Sequence, residues 1–403
     1  MDVVALVGAF GAIMVALLAG HGLSRWAPLP QGPGRYESLD GLRGLLAVFV
    51  FVSHCAVWFA YTHHEGWHEP QSRLLLHFGK SSVVLFFMVT AFLFFGRLLD
   101  ARGGAVDWLH LYVSRALRMT PAYLLAMLLM FGVVALATRW EVDGAGSGIV
   151  LRGWSDIVES CATWLAFSVL GTPAIDAYMN TPMIVAGVTW SLPFEWAFYF
   201  ILPILALALR IKATIGSLVI GLCGVIWLGM WQPAALFAWP FVGGMLAAML
   251  VRVPGLARHA CGRVAALAVV ASLALLVAFC DTAYGLLPWT LLTFAFVVIA
   301  SGNSLFGLLE LRSTRMLGRM AYSLYLMHGI VLYSVLMFVV GADRASTWSA
   351  PIHWVAMAGV TALVVGIAFA SFRLVEWPAM RSVSKLVRAM RRAAGRLAIN
   401  ASA

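Results

Sequence analysis

Residues 36–59 hold three groups suited to chemistry, Asp40, Arg43 and His54, within an otherwise apolar run. Arg43 and His54 are eleven positions apart. In a helix of 3.6 residues per turn they face the same way, separated by roughly 16 Å along the axis. Ionisable groups inside a membrane helix are costly and mark function by default. A neutral imidazole at such a depth is a fit general base. Taken alone, Arg43 is equally well a snorkelling anchor, and His54 a hydrogen-bonding group between packed helices. Together on one face, with Asp40 and Ser53 beside them, they outline a polar path from one membrane surface to the midplane.

Two further constellations fit that path. Arg115 and Arg118 stand at i, i+3 on one helix face, where a pair of guanidiniums grips phosphates bidentately. Ordinary cytoplasmic positive charge is the competing explanation. In the stretch from Trp190 and Ser191 to Tyr199, Glu195 falls about two turns below the outer mouth of its span, a costly place for a carboxylate. A structural, helix-paired glutamate is the competing explanation there. His64, Glu65 and His68 spell HExxH, a zinc-protease pattern. That pattern needs a helix and a third ligand, whereas Gly66 and Pro70 oppose a helix, so we expect a polar loop and no metal.

The elements that position these groups are membrane helices. Of 403 residues 62% are hydrophobic and 11% charged, with a mean hydropathy of +0.92, far from a soluble domain. The net charge of +10 comes in short arginine clusters between apolar runs, which argues for cytoplasmic loops and against nucleic acid. The five cysteines, Cys55, Cys161, Cys223, Cys261 and Cys280, have no metal or disulfide spacing. The run at 3–20 lacks a basic leader and a cleavage site, which predicts an uncleaved first span.

Apolar runs predict an all-α polytopic protein with spans at 3–21, 42–61, 80–99, 119–138, 189–209, 213–231, 234–251, 264–281, 286–302, 320–340 and 352–375. Eleven crossings put the clusters at Arg25/Arg35, Arg97/Arg102/Arg115/Arg118, Arg210/Lys212, Arg252/Arg258/Arg263, Arg312/Arg315/Arg319 and 381–396 on one side. The N-terminus is then outside and the C-terminus inside. A weaker run, 156–171, with Asp156, Glu159 and Ser160 at its start, breaks this parity if it crosses, so we expect a re-entrant or interfacial helix. The tail after Pro378 predicts a basic helix on the anionic cytoplasmic leaflet. The expected division is an extra helix and linker at 1–35, a membrane domain at 36–378 and the tail at 379–403.

These motifs, in order, resemble the acyltransferase-3 family of integral membrane acyltransferases. Asp40-Gly41-Leu42-Arg43-Gly44 with His54 resembles the family's Arg-x10-His signature, and Arg115-Ala116-Leu117-Arg118 its RxxR motif. Trp190-Ser191-Leu192 with Glu195 and Tyr199 resembles WSLxxEWxFY. The late stretch through Ser323, Tyr325 and His328 resembles SYSLYLxH, and Glu376-Trp377-Pro378 the closing E-x-P. The family's FFxxSGFL is altered to Phe86-Phe87-Met88-Val89-Thr90-Ala91-Phe92-Leu93, which puts a hydroxyl role there in question. The resemblance is to the stand-alone form of the family, with no SGNH-type hydrolase domain expected after it.

The resemblance implies acyl transfer, acetyl first, from cytosolic acyl-CoA to a hydroxyl of a cell-envelope glycan or its lipid-linked precursor, in a bacterial inner membrane. It implies donor phosphates at Arg43, Arg115 and Arg118. His54 would act as base or acyl relay, Glu195 would orient it from the outer side, and Arg43 would stabilise charge. Asp40, Ser53, Trp190, Ser191, Tyr199, Tyr325 and His328 would support them. A small acceptor such as a macrolide stays open, as does a transporter or flippase of a polar substrate, although no inverted repeat supports the latter.

Overall fold

The computed structural model describes residues 3–27, 36–101, 104–140, 153–176, 178–211, 213–230 and 234–401. Among them every regular element is helical. Arg35, Arg102, Lys212 and most of the 139–155 loop lie outside the described residues.

The chain opens with α1 (Val3–Trp26), α2 (Glu37–Thr62), α3 (Arg73–Asp100) and α4 (Trp108–Arg139). Next come α5 (Trp154–Leu165), a single turn α6 (Thr181–Ile184), and α7 (Ser191–Ala208), which a 3-10 turn at Val188–Trp190 introduces. Then follow α8 (Ile215–Met230), α9 (Ala234–Leu250), α10 (Leu256–Ala260), α11 (Arg263–Phe279), α12 (Leu286–Ala300) and α13 (Arg312–Arg319). The last are α14 (Ala321–Tyr333), α15 (Ala342–Ser346), α16 (Ala350–Ser371) and α17 (Trp377–Ala401). A π-helical stretch, Ser334–Val340, extends α14, and another, Phe372–Glu376, joins α16 to α17.

Seven helical segments are long and apolar enough to cross a membrane, and four shorter apolar helices, within α8, α9, α11 and α12, occupy the other predicted positions. The protein is therefore an all-helical polytopic membrane protein. Predicted and observed bounds agree within a few residues except at the starts of α3 and α4. There polar side chains continue the helix beyond the apolar run: Arg73 pairs with Asp281 at 2.7 Å, and His77 bridges Ser81 Oγ and the Cys280 carbonyl.

The two ends of the bundle differ in charge. Where α2 begins and α3 ends, Arg315 meets Glu37 at 3.0 Å, Arg252 meets Asp100 at 2.7 Å and Arg391 meets Asp107 at 2.5 Å. At the opposite end Lys80 pairs with Glu69, and His63 Nε2 bonds the Trp348 carbonyl at 2.9 Å. Helix α17 buries Val383 and Val387 and exposes Arg381, Lys385, Arg388, Arg391, Arg392 and Arg396, the amphipathic pattern expected of the tail.

Packing among apolar helices depends on small residues that let backbones approach. A Cβ on Gly41 would lie 1.8 Å from the Leu309 carbonyl oxygen, and one on Gly44 2.2 Å from that of Thr314. Across the same contact, a Cβ on Gly318 would lie 1.8 Å from the Asp40 carbonyl oxygen. The two glycines of the LDGLRG motif thus seat α2 against α13 and the 3-10 turn, Leu308–Glu310, that precedes it. Gly41→Ala is expected to destabilise the protein by about 1–3 kcal/mol, read as an earlier thermal transition in detergent; an unchanged transition would show that this contact gives way freely.

Helix α5 has twelve residues, a rise of only about 18 Å, and Trp154 and Val158 are exposed. In the chain after it, Phe167, Ser168, Asp176 and Ala186 all adopt positive φ. A Cβ on Gly329 of α14 would lie 2.4 Å from the Val185 carbonyl carbon, which places this irregular backbone deep against α14. Non-helical backbone at that depth is tolerated only when buried in protein. The apolar run at 156–171 is thus seen as the short helix α5, and buried irregular backbone follows it.

Candidate active site in two joined cavities

Two cavities meet inside the bundle. The first, about 80 Å³, is lined by Arg43 from α2, Thr90 from α3, Arg115 and Arg118 from α4, Ser191, Glu195 and Tyr199 from α7, and Tyr325 from α14. We call it the arginine cavity. The i, i+3 spacing of Arg115 and Arg118 turns both into it, as expected from the sequence. Arg43 leans on Asp40 at 3.8 Å. Arg118 Nη2 lies 3.7 Å from Glu376 Oε1, and Ser323 Oγ donates to Glu376 Oε2 at 3.0 Å. Glu376, which carries the closing motif, is completely buried, so its charge depends on Arg118. Arg115 instead stacks its guanidinium 4.8 Å from the Phe94 ring centroid. Among the described residues no carboxylate lies within ion-pairing distance of Arg115, which leaves it the cation most available to an anionic ligand.

The second cavity, about 470 Å³, is lined by Ser53 and His54 from α2, Trp67, His68 and Glu69 from the loop between α2 and α3, Lys80 from α3, Val188 and Trp190 from the 3-10 turn before α7, and Tyr284. Within it His54 Nδ1 lies 2.9 Å from the Val50 carbonyl and 3.3 Å from His328 Nε2, and His328 Nδ1 lies 3.2 Å from the Leu324 carbonyl. A carbonyl only accepts, so these partners assign the proton to Nδ1 of both rings. His54 N–H then points toward the Val50 carbonyl and His328 Nε2 together. The remaining nitrogen of His54, Nε2, carries the lone pair, on a ring that lines the cavity. The second histidine accepts from the Nδ1 side of His54 and so holds the ring angle.

The sequence pairs His54 with Glu195, and the structure does not bring them together. Among the described residues no hydrogen bond or ion pair joins the two. Glu195 instead accepts hydrogen bonds from Tyr199 Oη and from Thr90 Oγ1, the latter at 3.3 Å, and faces the three arginines. Thr90 and Tyr199 hold Glu195 on the wall of the arginine cavity, apart from the cavity that His54 lines. The same contact restores a hydroxyl role at Thr90, where the motif departs from its family form. Of the supporting residues, Ser53 and Trp190 line the histidine cavity, Ser191 and Tyr199 the arginine cavity, Tyr325 both, and His328 touches His54.

The residues 64–68 form a turn. Helix α2 ends at Thr62, and His64 and Gly66 have positive φ, so no helix carries the two histidines. Among the described residues no cluster of three or more His, Cys, Asp or Glu could hold a metal ion.

The family model of the acyltransferase domain, acyltransferase-3 type, matches residues 36–370. The chain belongs to the acyltransferase-3 family. No curated protein and no solved structure matches it. In this acyltransferase, α1 precedes the family domain and docks on its far side, where a Cβ on Gly8 would run into the Trp354 side chain and one on Gly20 would press on Leu317.

Sequence reasoning missed four features of the acyltransferase site: Thr90 as a donor to Glu195, Glu376 as the partner of Arg118, His328 as the partner of His54, and the Lys80–Glu69 pair on the cavity wall. Lys80 at the head of an apolar run was a visible signal; its partner, across an irregular loop, was not. Glu195→Gln is expected to leave the pH midpoint of kcat in place, since Glu195 has no contact with His54. A shifted midpoint would show the two coupled after all.

Proposed function

We propose that this acyltransferase moves an acetyl group from cytosolic acetyl-CoA to a hydroxyl of a cell-envelope glycan or its lipid-linked precursor, with His54 as general base. The observation that carries the reading is their adjacency: a cavity lined by three arginines and a cavity lined by His54 share Val83 and Tyr325 as walls. The arginines suit the phosphates of coenzyme A. The roughly 16 Å between Arg43 and His54 along α2 suits the pantetheine arm, which delivers the thioester toward the junction. In the histidine cavity His54 Nε2 takes the acceptor hydroxyl proton, and the acceptor oxygen attacks the thioester carbonyl. The C–O bond forms, the C–S bond breaks, and the coenzyme A thiolate leaves, to be protonated in turn by the imidazolium. His328 holds the ring through the other nitrogen. The Trp67, Trp190, Lys80 and Glu69 wall offers stacking and hydrogen bonding to a polyhydroxylated acceptor.

The proposal includes eleven crossings, the seven long helices with the four shorter ones. It sets the N-terminus outside and the C-terminus inside a bacterial cytoplasmic membrane, because the basic end of the bundle then faces the cytosol. Purified protein given labelled acetyl-CoA and envelope glycans from its host tests the reading. Label is expected in the glycan with wild-type protein and not with His54→Ala. Label only on a small-molecule hydroxyl would move the acceptor class, while substrate uptake into vesicles without a covalent product would replace the enzyme with a transporter.

A further inference from the structure

The arginine and histidine cavities share two lining residues, Val83 of α3 and Tyr325 of α14. Tyr325 Oη lies 2.9 Å from Ser191 Oγ and 3.0 Å from the Val188 carbonyl, and Ser191 Oγ lies 3.2 Å from that same carbonyl. Ser191 faces the arginine cavity and Val188 the histidine cavity, so this closed triangle stands between them. It contains two hydroxyl rotors and one carbonyl, and whichever hydroxyl bonds Val188 leaves the other to bond its neighbour. The triangle satisfies itself without any ligand. The Tyr325 ring is held edge-on by Phe86 and by His328, each with centroids 6.1 Å away. The partition is thereby tied to the residue that orients His54.

From this geometry we propose that Tyr325, latched to Ser191 and Val188 and facing Val83, is the partition between the donor and acceptor cavities and the residue that limits the length of the transferred acyl group. The inference rests on the acyl-CoA reading. A thioester carried through the arginine cavity reaches an acceptor oxygen at His54 only where the two cavities meet, so the acyl substituent must lie against Val83 and Tyr325. A methyl fits beside a closed latch, whereas a longer chain needs the space that Val83 and the phenol ring occupy. The same closed latch holds the water of the larger cavity off the thioester until an acceptor hydroxyl takes its place. Bond making and breaking are those of the proposed transfer, with water in the acceptor role for the leak.

The test follows coenzyme A release from acetyl-, butyryl- and hexanoyl-CoA by the full chain in nanodiscs, with water and glycerol as the acceptors. Val83→Ala is expected to raise the butyryl-to-acetyl ratio about ten-fold, the scale on which a pocket discriminates one or two methylenes. Tyr325→Phe keeps the ring and removes the latch, and is expected to raise hydrolysis of acetyl-CoA about five-fold, the equivalent of one neutral hydrogen bond. Binding of coenzyme A to both variants, read by calorimetry, is expected to match wild type and shows that they are folded. Unchanged chain-length profiles and hydrolysis in two variants that still bind coenzyme A would overturn the partition and leave the donor reading intact. Failure of the wild-type protein to bind coenzyme A would overturn the donor reading and the partition with it.

Discussion

His54→Asn is expected to lower kcat about 10²–10⁴-fold, the usual contribution of a positioned general base, while coenzyme A still binds with wild-type affinity. The side-chain amide of asparagine can keep a hydrogen bond near the Val50 carbonyl but offers no basic nitrogen to the cavity. Because His54 and the arginines line different cavities, assigned in the proposed reaction to acceptor and donor, the loss belongs to kcat and not to donor affinity. His328→Gln is the companion variant. It removes the ring whose Nε2 lies 3.3 Å from His54 Nδ1, so kcat falls by less, and the pH midpoint moves because the environment of the base has changed. Titrating kcat against pH in the two variants checks both statements. Equal, full loss in His328→Gln with no residual pH dependence would assign the base role to the pair rather than to His54.

Arg115→Ala and Arg118→Ala are expected to fail in different ways, although the two residues share one motif and one cavity. Arg115 has the Phe94 ring beneath it and no carboxylate partner among the described residues. Its removal strips a charge-assisted contact with a phosphate and weakens coenzyme A binding about 10- to 100-fold, with the difference shrinking as salt is raised. Arg118 stands over a buried carboxylate, Glu376. Its removal leaves that carboxylate uncompensated, and breaking one side of a buried pair costs about 3–5 kcal/mol, so the protein melts early before any binding defect is read. Arg118→Ala combined with Glu376→Gln is expected to recover most of the stability and to expose the binding defect alone. Thermal unfolding and calorimetry with coenzyme A, run on the three proteins, separate these effects. An Arg118→Ala protein as stable as wild type would show that Glu376 is held by Ser323 without help.

The sequence by itself determined the membrane class, the helix positions and the charged end of the bundle. Hydrophobic length and basic clusters are local properties that survive in any packing of the helices. It also determined that Arg43 and His54 share a face, since 3.6-residue periodicity is a property of one helix, and that Arg115 and Arg118 point together. The tertiary structure decided which residues meet. His328 lies 274 positions from His54, and periodicity within α2 says nothing about which face of α14 lies beside it. Glu195 went to the arginines rather than to His54 because the depth of α7 depends on the backbone before it. The left-handed turns at Ala186 and Gly187 and the space at Gly329 let that backbone pack against α14. The partition proposed at Tyr325 needs contacts from α14, α7 and the 3-10 turn before α7, none of them periodic in the sequence. The polar path first seen in α2 thus divides between a cavity lined by arginines and a cavity lined by His54, because packing between helices, and not the order of residues along one helix, sets where the two adjoin.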